Sequence, residues 1–161
     1  MTPLVVSGRR ARLGGWSAPC AVGRGGIGPK AAEGDGITPQ GRWRVVHVFY
    51  RPDRVPPPCP KARPIGLREA WCDDPQDPRY NQLMPQGQAS PERLRRADPL
   101  YDLIGVLDYN MDPVRADAGS AIFLHAWRKP GHPTAGCVAF APHDLAFVLG
   151  RLGLGGQVVI R

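Results

Sequence analysis

Long apolar runs are missing from this 161-residue sequence: none reaches the roughly 18 residues that a membrane-crossing helix needs. The opening residues, Met1 to Ser7, are too few to hold the apolar centre of a secretory leader. The expectation is a chain without a membrane span. It would act in the cytosol, after loss of an export signal, or after export by another route. No Cys-x-x-Cys pair occurs among Cys20, Cys59, Cys72 and Cys137, which argues against a zinc ribbon or a thioredoxin-type motif. Four cysteines allow a disulfide but do not assign its partners. Aromatic residues make up only 7% of the chain and do not interleave with its densest basic cluster, Gly8-Arg9-Arg10-Ala11-Arg12. Stacking on bases therefore has no support. The cluster reads as a solvated strand face or a frayed terminus, and no nucleic-acid partner is expected.

A formal charge of +7 is present and favours an anionic partner; composition alone does not choose among nucleic acid, lipid and an acidic polymer. Glycine and proline are abundant, at 20 and 19 residues. Proline lacks an amide donor and glycine costs ordering entropy, so a helix bundle is disfavoured. The reading is mainly β, one domain over residues 1–161, with long Pro/Gly-rich loops and a late helix packed on the sheet. Leu4 to Val6 reads as a short strand, with Trp16 to Val22 as its hairpin partner. Gly23 to Trp43 holds seven glycines and two prolines and reads as a long loop. It lacks the GxxxxGK[ST] spacing of a phosphate cradle. "WRVVHVFY", Trp43 to Tyr50, is a strand. Arg51 to Gln88 is an irregular, proline-rich excursion. Ser90 to Ala97 reads as a short helix, with Ser90 as cap and Pro91 at its first position. Strands follow at Tyr101–Asn110, Ser120–Trp127, Val138–Phe140 and Gln157–Ile160. Leu145, Val148, Leu149 and Leu152 share one helix face, and Gly153 can end that helix.

The chemistry gathers at "HPTAGCVAF", His132 to Phe140. A thiolate rather than a thiol is the nucleophile, and a nearby imidazole can take the proton. His125 ends the apolar run Ala121 to Leu124, so a strand can hold it, and it lies twelve positions before Cys137. Residues Trp127 to Pro133 can make the return turn. Gly136 leaves room for a substrate carbonyl, whose developing charge the Cys137 amide and the one before it can meet. Thr134 can fix the loop through its hydroxyl. A core cysteine with a satisfied histidine fits the same residues. A metal site from His125, His132, Cys137 and His143 matches no common zinc spacing, and no metal or cofactor is expected. His132 is a rival base on a turn, and His47 reads as a strand-face histidine.

"FLH…PTAGCVAF" resembles the signature of the YkuD-type L,D-transpeptidase domain: a His at a strand end, a variable stretch, then Ser/Thr-x-Gly-Cys and an apolar residue. "KAAEGDGITPQGRW", Lys30 to Trp43, is similar to that domain's earlier Thr-Pro-x-Gly segment. Ala70 to Pro75 and Leu100 to Asn110 look like a compact proteobacterial branch. The resemblance implies a β-sandwich around a catalytic Cys137, with His125 as base and Gly136, Ala135 and Thr134 as oxyanion or loop support. It implies peptidoglycan stem peptides as donor and acceptor. An acyl-enzyme formed at an L–D bond would pass to a diaminopimelate amine, making a 1,3 or 3,3 cross-link. Hydrolysis of stem peptides or wall-protein links is the alternative, and a non-catalytic basic binding module a third reading. Carbapenem acylation, a periplasmic or envelope location and a monomer are further expectations. Three departures stand out: a short His-to-Cys gap, Ala135 in place of a second His, and Ala139 in place of a polar residue. Arg24, Lys30, Tyr109 and Asn110 are the substitutes for substrate binding, with Trp71 and Trp127 as groove walls.

Overall fold

The computed structural model describes residues 1–85 and 93–161. The fold is mainly β with one α-helix. Strands β1 (Leu4–Ser7), β2 (Arg10–Leu13) and β3 (Trp16–Pro19) form a meander. The two-residue strands β4 (Ile27–Gly28) and β5 (Thr38–Pro39) lie in the glycine-rich loop. Strand β6 (Gly41–Tyr50) follows, then the short pairs of the excursion: β7 (Arg63–Pro64), β8 (Ala70–Trp71) and β9 (Leu83–Met84). Strands β10 (Leu103–Leu107), β11 (Phe123–Ala126) and β12 (Val138–Phe140) precede helix α1 (Pro142–Leu152), and β13 (Gln157–Ile160) ends the series.

The main sheet runs β12-β11-β10-β6-β13-β1-β2-β3. Strand β6 serves both halves. Its first four residues pair with β13 and its remainder with β10. Val106 faces His47 but Leu107 faces Val45, so one extra residue bulges there and turns the strand from one half into the other. Past β3 the chain meets the far edge of β12. The Ala21 amide donates to Ala139 O at 2.8 Å, and the Ala139 amide to Ala21 O at 2.8 Å. The ends of the sheet are thereby joined, and β12 is hydrogen-bonded along both edges.

Helix α1 begins on Pro142, whose missing amide costs nothing at a helix start. Its buried face is Leu145, Val148, Leu149 and Leu152, and Gly153 closes it at φ 56°. That face shares a core with Leu4, Val6, Val45, Leu124, Phe140, Val158 and Ile160. Each such side chain contributes about 1.5–3 kcal/mol of burial. A Cβ on Gly105 of β10 would come within 2.7 Å of Leu149 Cδ2, so glycine is what lets the helix lie against the sheet. On the other face of β6, β10 and β11, the excursion builds a second core from Phe49, Ile65, Trp71, Leu94, Tyr101, Ile104 and Phe123.

Two sequence expectations need correction. The hairpin partner of Leu4–Ser7 is Arg10–Leu13, not Trp16–Val22, because Gly8 and Arg9 make a two-residue turn. In the Ser90–Ala97 helix, Ser90, Pro91 and Glu92 lie outside the described residues. Arg93 to Ala97 is not helical: Arg93 bridges Ala70, and the Leu94 amide donates to Glu69 O at 3.1 Å rather than to a helix carbonyl.

Replacing Leu149 by Ala is expected to lower the unfolding free energy by about 2–5 kcal/mol. Urea unfolding followed by circular dichroism measures it, and a change under about 1 kcal/mol would mean that the helix is not anchored there.

Candidate active site

Strands β11 and β12 run parallel, with Leu124 beside Val138 and His125 beside Ala139. Cys137 enters β12 one residue before Val138. Side chains alternate along strands, so Cys137 and Ala139 share the face that carries Phe123 and His125. Cys137 and His125 line the same cavity, of about 310 Å³.

The sulfur has a backbone donor on one side and a backbone acceptor on the other. The Phe123 amide donates to Cys137 Sγ at 3.3 Å, and Sγ–H donates to Ala121 O at 3.2 Å. Ala121 sits at φ 53°, a left-handed conformation that non-glycine residues rarely adopt. Asn81 holds it there, accepting from the Ala121 amide at 3.1 Å. The same Asn81 Oδ1 accepts from the Trp71 indole at 2.9 Å. Trp71, 1% exposed, is therefore a footing of the sulfur's partner and does not line the cavity at Cys137.

His125 is 6% exposed. Its Nδ1 lies 2.7 Å from Ala126 O; a carbonyl can only accept, so Nδ1 carries the hydrogen and Nε2 the lone pair. Burial pulls the imidazole pKa down to about 4, helped by the Arg96 guanidinium and opposed by the Ala126 carbonyl and Asp98. The ring is accordingly neutral at physiological pH. Tyr101 meets it edge-on, with ring centres 5.5 Å apart.

Thr134 pins the loop before the sulfur. Its Oγ1 accepts from the Gly136 amide at 3.1 Å and donates to Cys137 O at 2.6 Å. The Gly136 amide is thus turned into the loop. Gly136 itself stands at φ 149°, and a Cβ there would come within 3.0 Å of Ile37 O. Outside this loop, the Thr134 amide donates to Val22 O at 3.0 Å and the Arg24 amide to Thr134 O at 2.9 Å.

Of the residues singled out from sequence, Cys137, His125, Thr134, Ala135, Gly136, Lys30, Trp127 and the rival base His132 line this cavity. The others do not. Lys30, although it lines the cavity, is only 2% exposed and turns its ammonium to Asp35 at 2.7 Å and Ile37 O at 3.2 Å. Burial would raise the Asp35 carboxyl, but Lys30 and three backbone amides outweigh it and hold it well below the usual range. The Arg24 guanidinium reaches Gly34 O at 3.1 Å and lies along a neighbouring groove. Tyr109 donates to Ala118 O and meets Trp43 edge-on. Asn110 ties Arg115 and Gly119 together, shaping the loop that leads to Ser120.

Sequence reasoning missed four lining residues. Glu33 Oε2 accepts from Tyr80 Oη at 2.6 Å and Ser120 Oγ at 2.8 Å. Asp73 is a second carboxylate on the wall, and Arg96 and Arg128 supply positive charge. Arg96 pairs with Asp98 at 2.7 Å and lies over the Tyr101 ring. Only the spacing of Arg96 and Asp98, two residues apart in a basic stretch, offered any signal; Glu33 lay in a glycine-rich loop without a motif.

All four cysteines are thiols, and Cys20, Cys59 and Cys72 are buried. Burial pushes the Cys20 thiol up to about 12. Alkylation of the native protein with iodoacetamide at neutral pH is expected to stop at one adduct, on Cys137. Peptide mapping that finds an adduct on Cys20 before Cys137 would contradict this arrangement.

The family model described as L,D-transpeptidase catalytic domain (YkuD) matches residues 6–160. No curated protein matches the chain. Among solved structures, an L,D-transpeptidase from Mycobacterium smegmatis is 10% identical with a TM-score of 0.45, covering 99% of this chain and 58% of that one. A protein of Bdellovibrio bacteriovorus is 18% identical with a TM-score of 0.48, covering 99% of this chain and 47% of its own. The chain spans about half the length of these structures.

Proposed function

The chain belongs to the YkuD family of L,D-transpeptidase catalytic domains, and from that premise we propose that it cleaves and transfers peptidoglycan stem peptides through a Cys137 thioester. One observation carries the reading: a sulfur set between a backbone donor and a backbone acceptor shares a cavity with an imidazole whose Nδ1 is already committed.

The resting pair is a neutral thiol and a neutral ring. Low dielectric around His125 opposes a standing thiolate–imidazolium pair. Substrate entry displaces the S–H from Ala121 O, and His125 Nε2 takes the proton as Sγ attacks the carbonyl carbon of the L-residue. The Phe123 amide, already aimed at Sγ, eases charge on the sulfur. Collapse of the tetrahedral intermediate breaks the bond to the D-residue nitrogen, which departs with the proton from His125. The thioester remains. An acceptor amine then attacks it, the C–N bond forms and the C–S bond breaks. His125 returns one nitrogen proton to the sulfur. Glu33, held by Tyr80 and Ser120, lines this cavity and suits the incoming ammonium, taking one of its protons so that the free amine attacks, while Arg96 and Arg128 suit a carboxylate. A diaminopimelate acceptor carries both groups. Water at the same position gives hydrolysis instead. A family of L,D-transpeptidase catalytic domains supports an envelope location, and the periplasm is the compartment proposed for a proteobacterial member.

Mass spectrometry of muropeptides after incubation tests the proposal. Cross-linked dimers are expected, their fragmentation separating 1,3 from 3,3 links. Cys137→Ala should abolish product while keeping the circular dichroism spectrum. His125→Ala should slow acylation by about 10²–10⁴-fold, and His132→Ala far less. Shortened monomers alone would make the enzyme a hydrolase, and dimers from Cys137→Ala would remove the thioester.

The acid limb of kcat/KM is expected near pH 4. A neutral His125 is the working base, and its pKa lies below the usual value, so protonation silences it only as pH falls through about 4. A limb near 6.5 in the rate–pH profile would place the base elsewhere.

A further inference from the structure

The outer face of the sheet divides at β6. Over the half built on β10 and β11 lies the excursion with its own core. Among the described residues, the other half, β3-β2-β1-β13 and the start of β6, carries no such cover. Strand registers place Arg42, Val159, Val5, Arg12 and Ser17 in one row across five strands. Arg10 lies two residues from Arg12, and Arg44 two from Arg42, on the same face. All four arginines are exposed, and the two valines between them are half-buried. Sheet spacings put Arg12 and Arg42 about 14 Å apart at Cα, and the pairs along each strand about 7 Å apart.

None of the strands β1, β2, β3, β13, nor Gly41–Arg44, contains an Asp or Glu. Arg10 reaches Ser17 Oγ at 3.0 Å, and Arg10, Arg12 and Arg42 make no ion pair with a described residue. Asp108 is held by the Arg44 amide at the boundary with the covered half, so the acid-free area centres on the other three. The charge continues toward the cysteine. Arg9, Arg24 and Arg161 line a groove that shares Pro133 with the cavity at Cys137.

Surface shape narrows the partner. A flat sheet face offers no helix or ribbon for a duplex groove. No Trp, Tyr or Phe stands in these rows, so bases have nothing to stack on and a bilayer has no aromatic anchor. What remains is a polymer with carboxylates spaced along it. We infer that this arginine face is a second, non-catalytic binding surface for the peptide-bearing wall glycan, linked to the cavity by the Arg9–Arg24–Arg161 groove. The inference rests on the cell-wall reading above. Guanidinium groups at these spacings meet stem-peptide carboxylates on neighbouring strands while one stem enters the cavity.

Full-chain Cys137→Ala protein is sedimented with purified peptidoglycan sacculi at low and raised salt, beside the same protein carrying Arg10→Gln, Arg12→Gln and Arg42→Gln. The parent should co-sediment. The triple variant should bind at least about tenfold more weakly and with a shallower salt dependence. With Cys137 restored, the triple variant should turn over a soluble muropeptide within about twofold of the unmodified enzyme, yet lose activity on sacculi in step with binding. Unchanged sacculus binding in the triple variant overturns the inference. So does stronger binding of the parent to anionic vesicles or to DNA than to sacculi. Failure of the transpeptidase reading is seen separately, as absence of a Cys137 acyl adduct with the soluble muropeptide.

Discussion

The double-sided hydrogen bonding of β12 is the constraint on which the rest depends. A short strand at a sheet edge is ordinarily free to fray. Here β11 holds one edge and Ala21, in the stretch after β3, holds the other, while Val22 and Arg24 hold Thr134 just before the strand. Cys137 stands where these two ladders meet. Thr134 belongs to both arrangements: its backbone bonds to Val22 and Arg24, and its hydroxyl bonds within the loop. The position of the sulfur is therefore set from two sides, by β11 fourteen residues before it and by Ala21, Val22 and Arg24 more than a hundred residues before it.

The second determinant is burial at His125. Its surroundings are aromatic and close-packed, so charge on the ring is disfavoured even though carboxylates lie in the same region. On the cavity wall Arg96 and Lys30 are tied into ion pairs and Glu33 is held by hydroxyls. On the proposed mechanism the chemistry begins from an uncharged pair inside a charged rim, an arrangement that reserves ion formation for the moment a substrate excludes water.

Much of this was legible in the chain. Alternation in Trp43–Tyr50, the helix face Leu145–Leu152 and the closing strand Gln157–Ile160 survived because each buries its own apolar set. The cysteine loop was legible because its residue types have few other uses together. Arg10–Leu13 does not stand out in the sequence as the hairpin partner of Leu4–Ser7, because a strand with one buried residue, Ala11, carries almost no apolar period. The hydrogen bond of Trp71 to Asn81 is equally hidden, because a tryptophan's surroundings are not written next to it. Tyr109 and Asn110 looked like substrate contacts, but their polar atoms bond to the loop's own backbone. Glu33 was invisible for a related reason: its partners, Tyr80 and Ser120, lie 47 and 87 residues away.

The chain of contacts from Trp71 through Asn81 and Ala121 to Cys137 has a bearing on biosynthesis. Its members are scattered along the polypeptide, and non-local pairings form late because ordering the intervening chain comes first. Until residue 137 has emerged and the circle of strands has joined, the sulfur has neither the Phe123 amide nor the Ala121 carbonyl as its partner. A nascent or half-folded molecule consequently lacks the setting of that sulfur, which arrives only with the finished architecture.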